Sequence, residues 1–374
     1  MNLKEQLCQI TDKNKDTLYN IADYLHCNPE TGCREFKASS YLRSILEKEG
    51  FKINDILPDK FPTAFKASFG NGNIQIGFLA EYDALPEIGH GCGHNLIAAM
   101  SITAAIVCSN ILGDKATIHV FGCPAEETLG SKVYMSEAGI FDKLDFALIC
   151  HPGSETTFGG TSYATHPLQI TFTGKPAHVA DPDYHGINAL DAMVNFYQQL
   201  TQLQQSFQEP YILGKIITEG GTAPNIIPDK AVMKATIRAL RVDYLENTML
   251  PQIRALAQRV SEQHGTGLDL HHYEPLFKNM INDKHLEECA LSNFKAAGIN
   301  DIKLLPDDYA DGSTDVGNVS QIVPTIQPEI KIGSNIEAHT PEFAAAAASQ
   351  YAKEMAIKAV KGMCMTVADI LNNQ

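Results

Sequence analysis

Residues 73–112 read NIQIGFLAEYDALPEIGHGCGHNLIAAMSITAAIVCSNIL. The opening run, NIQIGFLA, is short, apolar and rich in β-formers, which predicts a strand buried in a sheet. The closing run from Asn95 is apolar on every side and long, which predicts a buried helix. Between them lie Glu81, Asp83, His90, Cys92 and His94 in a glycine-punctuated loop. A buried strand that ends in polar residues and feeds a buried helix is the repeating unit of an α/β layer fold.

The pattern continues on both sides of this stretch. Downstream, ATIHVFG, GSKVYMSEAG and DFALIC read as strand, helix and strand, with Gly139 at the helix end. Upstream, TAFKASFG is separated from NIQIGFLA by the turn residues NGN, which predicts a hairpin. PTIQPEIKIG, from residue 324, restores β character and is followed by a single Ala-rich helix beginning near Pro341. The expected fold is α/β, a mostly parallel sheet sandwiched by helices.

From about residue 166 to 279 the order changes to β-α-β-β-α-β, which predicts an inserted ferredoxin-like α+β domain. The boundaries expected are therefore 1–165 together with 280–374 for a discontinuous main domain, and 166–279 for the insertion.

A chain of 374 residues is long for one hydrophobic core, in keeping with two domains. Hydrophobic residues at 44% and charged residues at 20% are ordinary for a folded protein. A net charge of −15 without clustered Lys and Arg excludes a nucleic-acid partner from the expectations. The N-terminus is amphipathic and charged, without the apolar core of a signal peptide. No apolar run reaches the roughly 20 residues that span a bilayer. Nine cysteines without framework spacing fit reduced thiols. The location expected is cytoplasmic, with no membrane partner.

Ligands of open parallel sheets bind beyond the carboxyl ends of the strands. Four such ends carry Glu81 and Asp83, Glu126 and Glu127, His151, and His339. Alone, each has a plainer explanation: Cys92 as a core filler, His151 as a turn residue, the Glu126–Glu127 pair as solvated charge before a helix, His119 as a satisfied core histidine. Their coincidence at one edge points to a divalent metal. Imidazole, carboxylate and thiolate are the ligand set of zinc, manganese and their neighbours. Cys92-Gly93-His94 can turn both side chains to one centre, because Gly91 and Gly93 let the backbone bend. Side chains of adjacent residues diverge, so one of Glu126 and Glu127 is expected on metal and the other on its water. Two ions about 3.5–4 Å apart could hold hydroxide and polarise a carbonyl.

The motifs GHGCGHN, CPAEE, HPG, GGTAPNIIPD, GSTDVGN and AHTPEF, in this order over nearly the whole chain, resemble the two-metal aminoacylase and carboxypeptidase family of metallopeptidases. The resemblance is nearest to its amidohydrolase branch of p-aminobenzoyl-glutamate hydrolases, auxin-conjugate hydrolases and related dipeptidases. It implies a zinc-peptidase-like catalytic domain with an inserted lid and dimerisation domain, and two divalent ions, Zn or Mn, per subunit. It implies Cys92, His94, Glu127, His151 and His339 as metal ligands, Glu126 as general base, and Asp83 behind a ligand. It further implies His178 as an oxyanion stabiliser reaching across a dimer, and Asn225 and Arg238 as substrate contacts. Ser313 and Thr314, with Gly312, would line the pocket. One departure is Glu81-Tyr82-Asp83, where many members carry His-x-Asp.

The function expected is hydrolysis of the amide bond of an N-acyl amino acid, an aryl-amide conjugate or a dipeptide by metal-activated water, in a homodimer or higher homo-oligomer. Two rivals are a cysteine hydrolase using Cys92 or Cys150, and a catalytically silent binding protein on the same fold.

Overall fold

In the computed structural model, which describes residues 2–181 and 185–372, the chain forms two compact units. One comprises Met1–Thr161, Met280–Tyr309 and Thr314–Gln374, and the other Ser162–Asn279 with Ala310–Ser313.

The larger unit is built on a six-stranded sheet. Its strands lie in the order Lys52–Asp55, Phe65–Phe69, Ala116–Cys123, Ile74–Glu81, Phe146–Leu148 and Thr325–Ile326. The last four run parallel, and Phe65–Phe69 is antiparallel to both its neighbours. Ile74–Glu81 sits centrally and is buried on both faces, as its apolar run demands. Phe78 and Ala80 enter one core with the helices Lys15–Cys27, His94–Leu112 and Gln350–Asn372. Leu79, on the opposite face, packs with Phe121, Met135 and Val319. Helices thus cover both sides of the sheet.

His94–Leu112 is apolar enough to cross a membrane by length and composition, yet 89% of its apolar window is buried in the protein. It is the core helix of this unit. A smaller sheet of the strands Lys303–Ala310, Thr157–Thr161, Glu329–Lys331 and His151–Gly153 adjoins in sequence and carries His151.

Two local expectations are corrected. Phe65–Phe69 and Ile74–Glu81 are not a hairpin, because Ala116–Cys123 lies between them, antiparallel to the first and parallel to the second. The fully buried strand takes two parallel neighbours, while the half-buried Phe65–Phe69 takes an outer place. The NGN segment allows this because Gly72 lies against Lys115, whose carbonyl carbon would stand 2.1 Å from an added Cβ. The Ala-rich C-terminal helix is two helices, Pro341–Ala347 and Gln350–Asn372. Each start has its own hydroxyl cap. Thr340 Oγ1 accepts from Phe343 N at 3.2 Å, and Ser349 Oγ accepts from Ala352 N at 3.1 Å.

The smaller unit has the strand order Gly267–His272, Ala164–Thr173, Lys230–Ala239, Tyr211–Glu219, antiparallel throughout. Helices Ala189–Leu203 and Leu250–His264 pack with it around Phe172, Phe196, Met233 and Ile253. In chain order these elements are β-α-β-β-α-β, the ferredoxin-like arrangement.

Candidate metal centre

The central parallel strands deliver their polar residues to one edge of the sheet. Among the described residues, three groups of side chains offer atoms within 4.8 Å of one another: Cys92, His94 and His151; Cys92, Glu127 and His339; His94, Glu126 and Glu127. All six residues expected to bind metal or act as base are therefore gathered, and Cys92 belongs to two of the groups.

Local backbone explains how they meet. Gly93 caps the helix His94–Leu112 in a left-handed conformation, φ 75°, and a Cβ there would stand 2.4 Å from Pro152 Cγ. Ala125 and His339 adopt φ 59° and 66° although neither is glycine. Left-handed backbone at such residues costs energy and persists where surrounding contacts enforce it. His339 N donates to Gly91 O at 2.9 Å, tying the loop of His339 to that of Cys92.

The hydrogen bonds fix which ring nitrogens face the centre. His151 Nδ1 meets Pro152 O at 2.7 Å, and His94 Nδ1 meets Asp83 O at 3.0 Å and Asp83 Oδ1 at 3.1 Å. Since those partners can only accept, both Nδ1 atoms carry hydrogen, and it is the Nε2 atom of each ring that is left for the centre. Asp83 also accepts from Glu127 N at 3.0 Å through Oδ2. This carboxylate thus orients both the His94 ring and the Glu127 backbone.

The donor set fits a divalent ion. His94 Nε2 and Glu127 Oε1 are buried without a hydrogen-bond partner, and Glu127 Oε1 lies 3.4 Å from His339 Nε2. Buried polar atoms of this kind are costly unless something binds them. His339 is 54% exposed, which places solvent at the rim.

The electrostatics follow from burial and close charges. Burial drives His151 down to about 4, with smaller opposed effects from Glu81 and His94, so its imidazole is neutral and free to ligate. Burial opposes charge on His94, but Asp83 and then Cys92 outweigh it and hold its pKa well above the ordinary value. Cys92 is pushed up to about 12, chiefly by burial, so a thiolate there requires a cation. Burial, then Glu81 and Asp315, raise the Glu126 carboxyl well above the usual range.

One feature was missed from the sequence. Lys132, completely buried, lies 2.7 Å from Glu81 Oε1 and 2.5 Å from Asp315 Oδ1. Its backbone N–H also donates to Asp315 Oδ2 at 3.0 Å. Glu81 turns its other oxygen to within 3.6 Å of His94 Nε2. A Lys at the start of a helix reads as solvated charge, and nothing in its neighbours signals otherwise.

The remaining expected residues belong to other segments of the chain. His178, Asn225, Arg238 and Ser313 belong to the smaller unit, and Thr314 opens the last segment of the larger one. His178 is exposed, its Nδ1 accepting from Ala180 N at 3.1 Å and its Nε2 lying 3.5 Å from Asn225 Nδ2. Arg238 is half-buried in Lys230–Ala239, on the face it shares with Lys234 and Thr236. Ser313 Oγ bonds Thr165 Oγ1 at 2.5 Å, and Thr314 Oγ1 accepts from Val316 N at 3.2 Å. His90 stays outside the centre, its ring bonded to Leu25 O at 3.1 Å.

Comparisons with known proteins agree with this architecture. Residues 167–265 match the model of a peptidase dimerisation domain. The chain is 31% identical over 387 residues to the Xaa-Arg dipeptidase of Mus musculus, covering 99% of this chain and 89% of that protein. It is 34% identical over 247 residues to one of the subunits of the p-aminobenzoyl-glutamate hydrolase of Escherichia coli, covering 59% of this chain and 50% of that one. A solved Bacillus subtilis structure, described as a dinuclear metal-binding peptidase of the M20 family, superposes with a TM-score of 0.68 at 21% identity, covering 92% of this chain and 98% of that one. At that identity the likeness speaks for the fold.

Proposed function

The chain belongs to the M20 peptidase family, and from that premise we propose how its residues hydrolyse an amide bond and on what substrate. It is a hydrolase of the metal-dependent amidohydrolase kind. The observation that carries the mechanism is the pair of buried ligand atoms without a hydrogen-bond partner, His94 Nε2 and Glu127 Oε1, 4.0 Å apart.

Cys92, His94, Glu127, His151 and His339 would hold two divalent ions, zinc or manganese. When bound, such ions acidify water and polarise a carbonyl. Glu126 takes the proton of the attacking water and delivers it to the departing amine. His178 would donate to the developing oxyanion from a partner subunit, and Asn225 would bind close to the reacting carbonyl. Arg238 would bind the substrate carboxylate through two parallel hydrogen bonds. Ser313 and Thr314 would shape the same pocket.

The substrate proposed is a dipeptide with a C-terminal arginine, which the name of the mouse relative states for that protein. The charge of −15 favours approach of a cationic substrate over an anionic one. The smaller unit, which matches a dimerisation domain, would join two copies. Cytoplasmic residence is part of the proposal and is supported by nine cysteines without disulfides among the described residues.

A cysteine mechanism has one observation in its favour, the 3.5 Å approach of Cys92 Sγ to His151 Nε2. Against it, burial raises the Cys92 thiol to about 12 instead of activating it. Purified protein should hold close to two equivalents of zinc or manganese and cleave alanyl-arginine faster than p-aminobenzoyl-glutamate or N-acyl amino acids. Chelation should abolish turnover and metal return should restore it. Activity that survives chelation but not thiol alkylation would reverse the choice.

A further inference from the structure

Glu35 lies far from the metal ligands in sequence and is completely buried, yet it carries an acid that no step above uses. Its Oε1 accepts from Cys33 N and Ala125 N, both at 2.9 Å, and its Oε2 accepts from Thr63 Oγ1 at 2.9 Å. Burial pushes its carboxyl up to about 7, so the fold retains a group that is costly to ionise there.

Ala125 is a residue that needs an outside constraint. It is left-handed at φ 59°, and its carbonyl accepts from Thr128 N, Leu129 N and Gly130 N at 3.3, 3.0 and 2.7 Å. The whole turn that displays Glu126 and Glu127 therefore hangs on this one residue. The segment of Glu35 lies directly against it: a Cβ on Gly32 would stand 2.3 Å from Thr128 Oγ1 and 3.2 Å from Ala125 Cα. The same segment reaches the strand end of Asp83, since Ala84 N donates to Glu30 O at 2.8 Å. The turn is thus pinned at two backbone N–H groups two residues apart, Ala125 by Glu35 and Glu127 by Asp83.

We propose that Glu35 is a positioning residue that clamps the strained Ala125 turn, so that Glu127 points to the metal centre while Glu126 points to the water. This rests on the roles given above to Glu126 and Glu127. A hydrogen-bond acceptor, not a negative charge, is what the clamp requires. Glutamine can supply one, because its carbonyl can accept from the two N–H groups while its amide donates to the Thr63 hydroxyl.

The test uses the full-length protein and alanyl-arginine with Mn(II) supplied. Glu35→Met keeps the length and removes the acceptor. It should lower kcat about 10²-fold with KM within about threefold, as misplacement of reacting groups does. It should also weaken Mn(II) binding about tenfold by titration calorimetry, a readout independent of turnover. Glu35→Gln should restore kcat to within about threefold and Mn(II) affinity to the original value. Leu46→Ala, in the buried face of the following helix, serves as a purely destabilising control and should leave kcat unchanged. If Glu35→Met does not fold, Thr63→Val replaces it and should lower kcat severalfold at constant KM.

The clamp is overturned by full kcat in Glu35→Met or, in its stead, Thr63→Val. It is also overturned by an equal loss in Glu35→Gln, or by a matching kcat loss in the control. Glu126→Gln in the same assay separates the two levels. If it is inactive while Glu35→Met is unimpaired, the clamp alone is wrong; if it is fully active, the general-base role falls and the clamp with it.

Discussion

The two units hold their candidate functional groups in opposite ways. In the larger one they are buried or half-buried, His339 excepted, and held by further contacts: His94 by Asp83, His151 by Pro152 O, and the Glu126–Glu127 turn by Asp83 and Glu35. In the smaller one His178 and Asn225 are exposed and Arg238 is half-buried on a strand face. Groups that make and break bonds must be placed to a fraction of an ångström before substrate arrives. Groups that hold a substrate's far end can be ordered by the substrate itself. Changes in the larger unit should therefore appear in kcat or stability, and a change at Arg238, which would hold the substrate's far end, in KM.

The largest effect tests the first half of that contrast. Glu126→Gln should lose about 10²–10⁴ in kcat, the worth of general acid–base catalysis, while metal content by elemental analysis stays at the wild-type level. An unaltered kcat would remove the larger unit's claim to the chemistry. Next comes Lys132→Met, which leaves Glu81 and Asp315 buried without their cation. Breaking a buried pair in this way costs about 3–5 kcal/mol, so urea unfolding should show a correspondingly lowered midpoint. A midpoint unchanged from wild type would mean that the cluster does not hold the site together.

Arg238 should respond more weakly and in a different constant. Arg238→Ala should raise KM for alanyl-arginine about tenfold to a hundredfold, the worth of hydrogen bonds to a charged group, with kcat within about threefold. A fall in kcat at constant KM would erase the distinction between the units and move Arg238 into the chemical step.

The same contrast bears on what the sequence could reveal. Strand ends were legible because a buried strand must be apolar, so the residues that follow, Glu81, Cys123-Pro124-Ala125-Glu126 and His151, stand out by their change in character. The β-α-β-β-α-β order of the smaller unit was legible for the same reason. Pairing was less so: the NGN turn looked like a hairpin because a neighbour contributed from residues 116–123 leaves no mark on residues 65–81. Lys132, Asp315 and Glu35 were hidden because a charged residue is ordinarily exposed. Their burial depends on partners 51, 183 and 90 positions away, namely Lys132 with Glu81 and Asp315, and Glu35 with Ala125. Local pattern carries no trace of such pairs.

The smallest effect uses two buried histidines outside the centre, one in each unit. His119, in the large sheet, has both nitrogens bonded, to Ser68 Oγ at 2.8 Å and Gln75 Oε1 at 2.9 Å. His166, in the smaller unit, meets His272 edge-on with ring centroids 3.7 Å apart, and its buried Nδ1 has no hydrogen-bond partner. Burial lowers His119 to about 4, helped by Lys66, and His166 to about 3, helped by His272 and Arg254. An unfolded histidine takes its proton near 6.5, so between there and about 4 the unfolded chain binds more protons than the folded one. Stability contributed by either neutral ring is thus complete above pH 6.5 and is lost as pH falls. Acidification from pH 7 to 5 should cost about 2 kcal/mol for each histidine. The two should differ when replaced by phenylalanine. His119→Phe strands Ser68 and Gln75 and should lose about 1–2 kcal/mol at pH 7, whereas His166→Phe gives up no bond at Nδ1 and should gain in relative stability as pH falls. Calorimetric Tm values at pH 7 and 5 decide the matter, and equal acid slopes in wild type and His166→Phe would show that this buried ring is not what makes the smaller unit acid-sensitive.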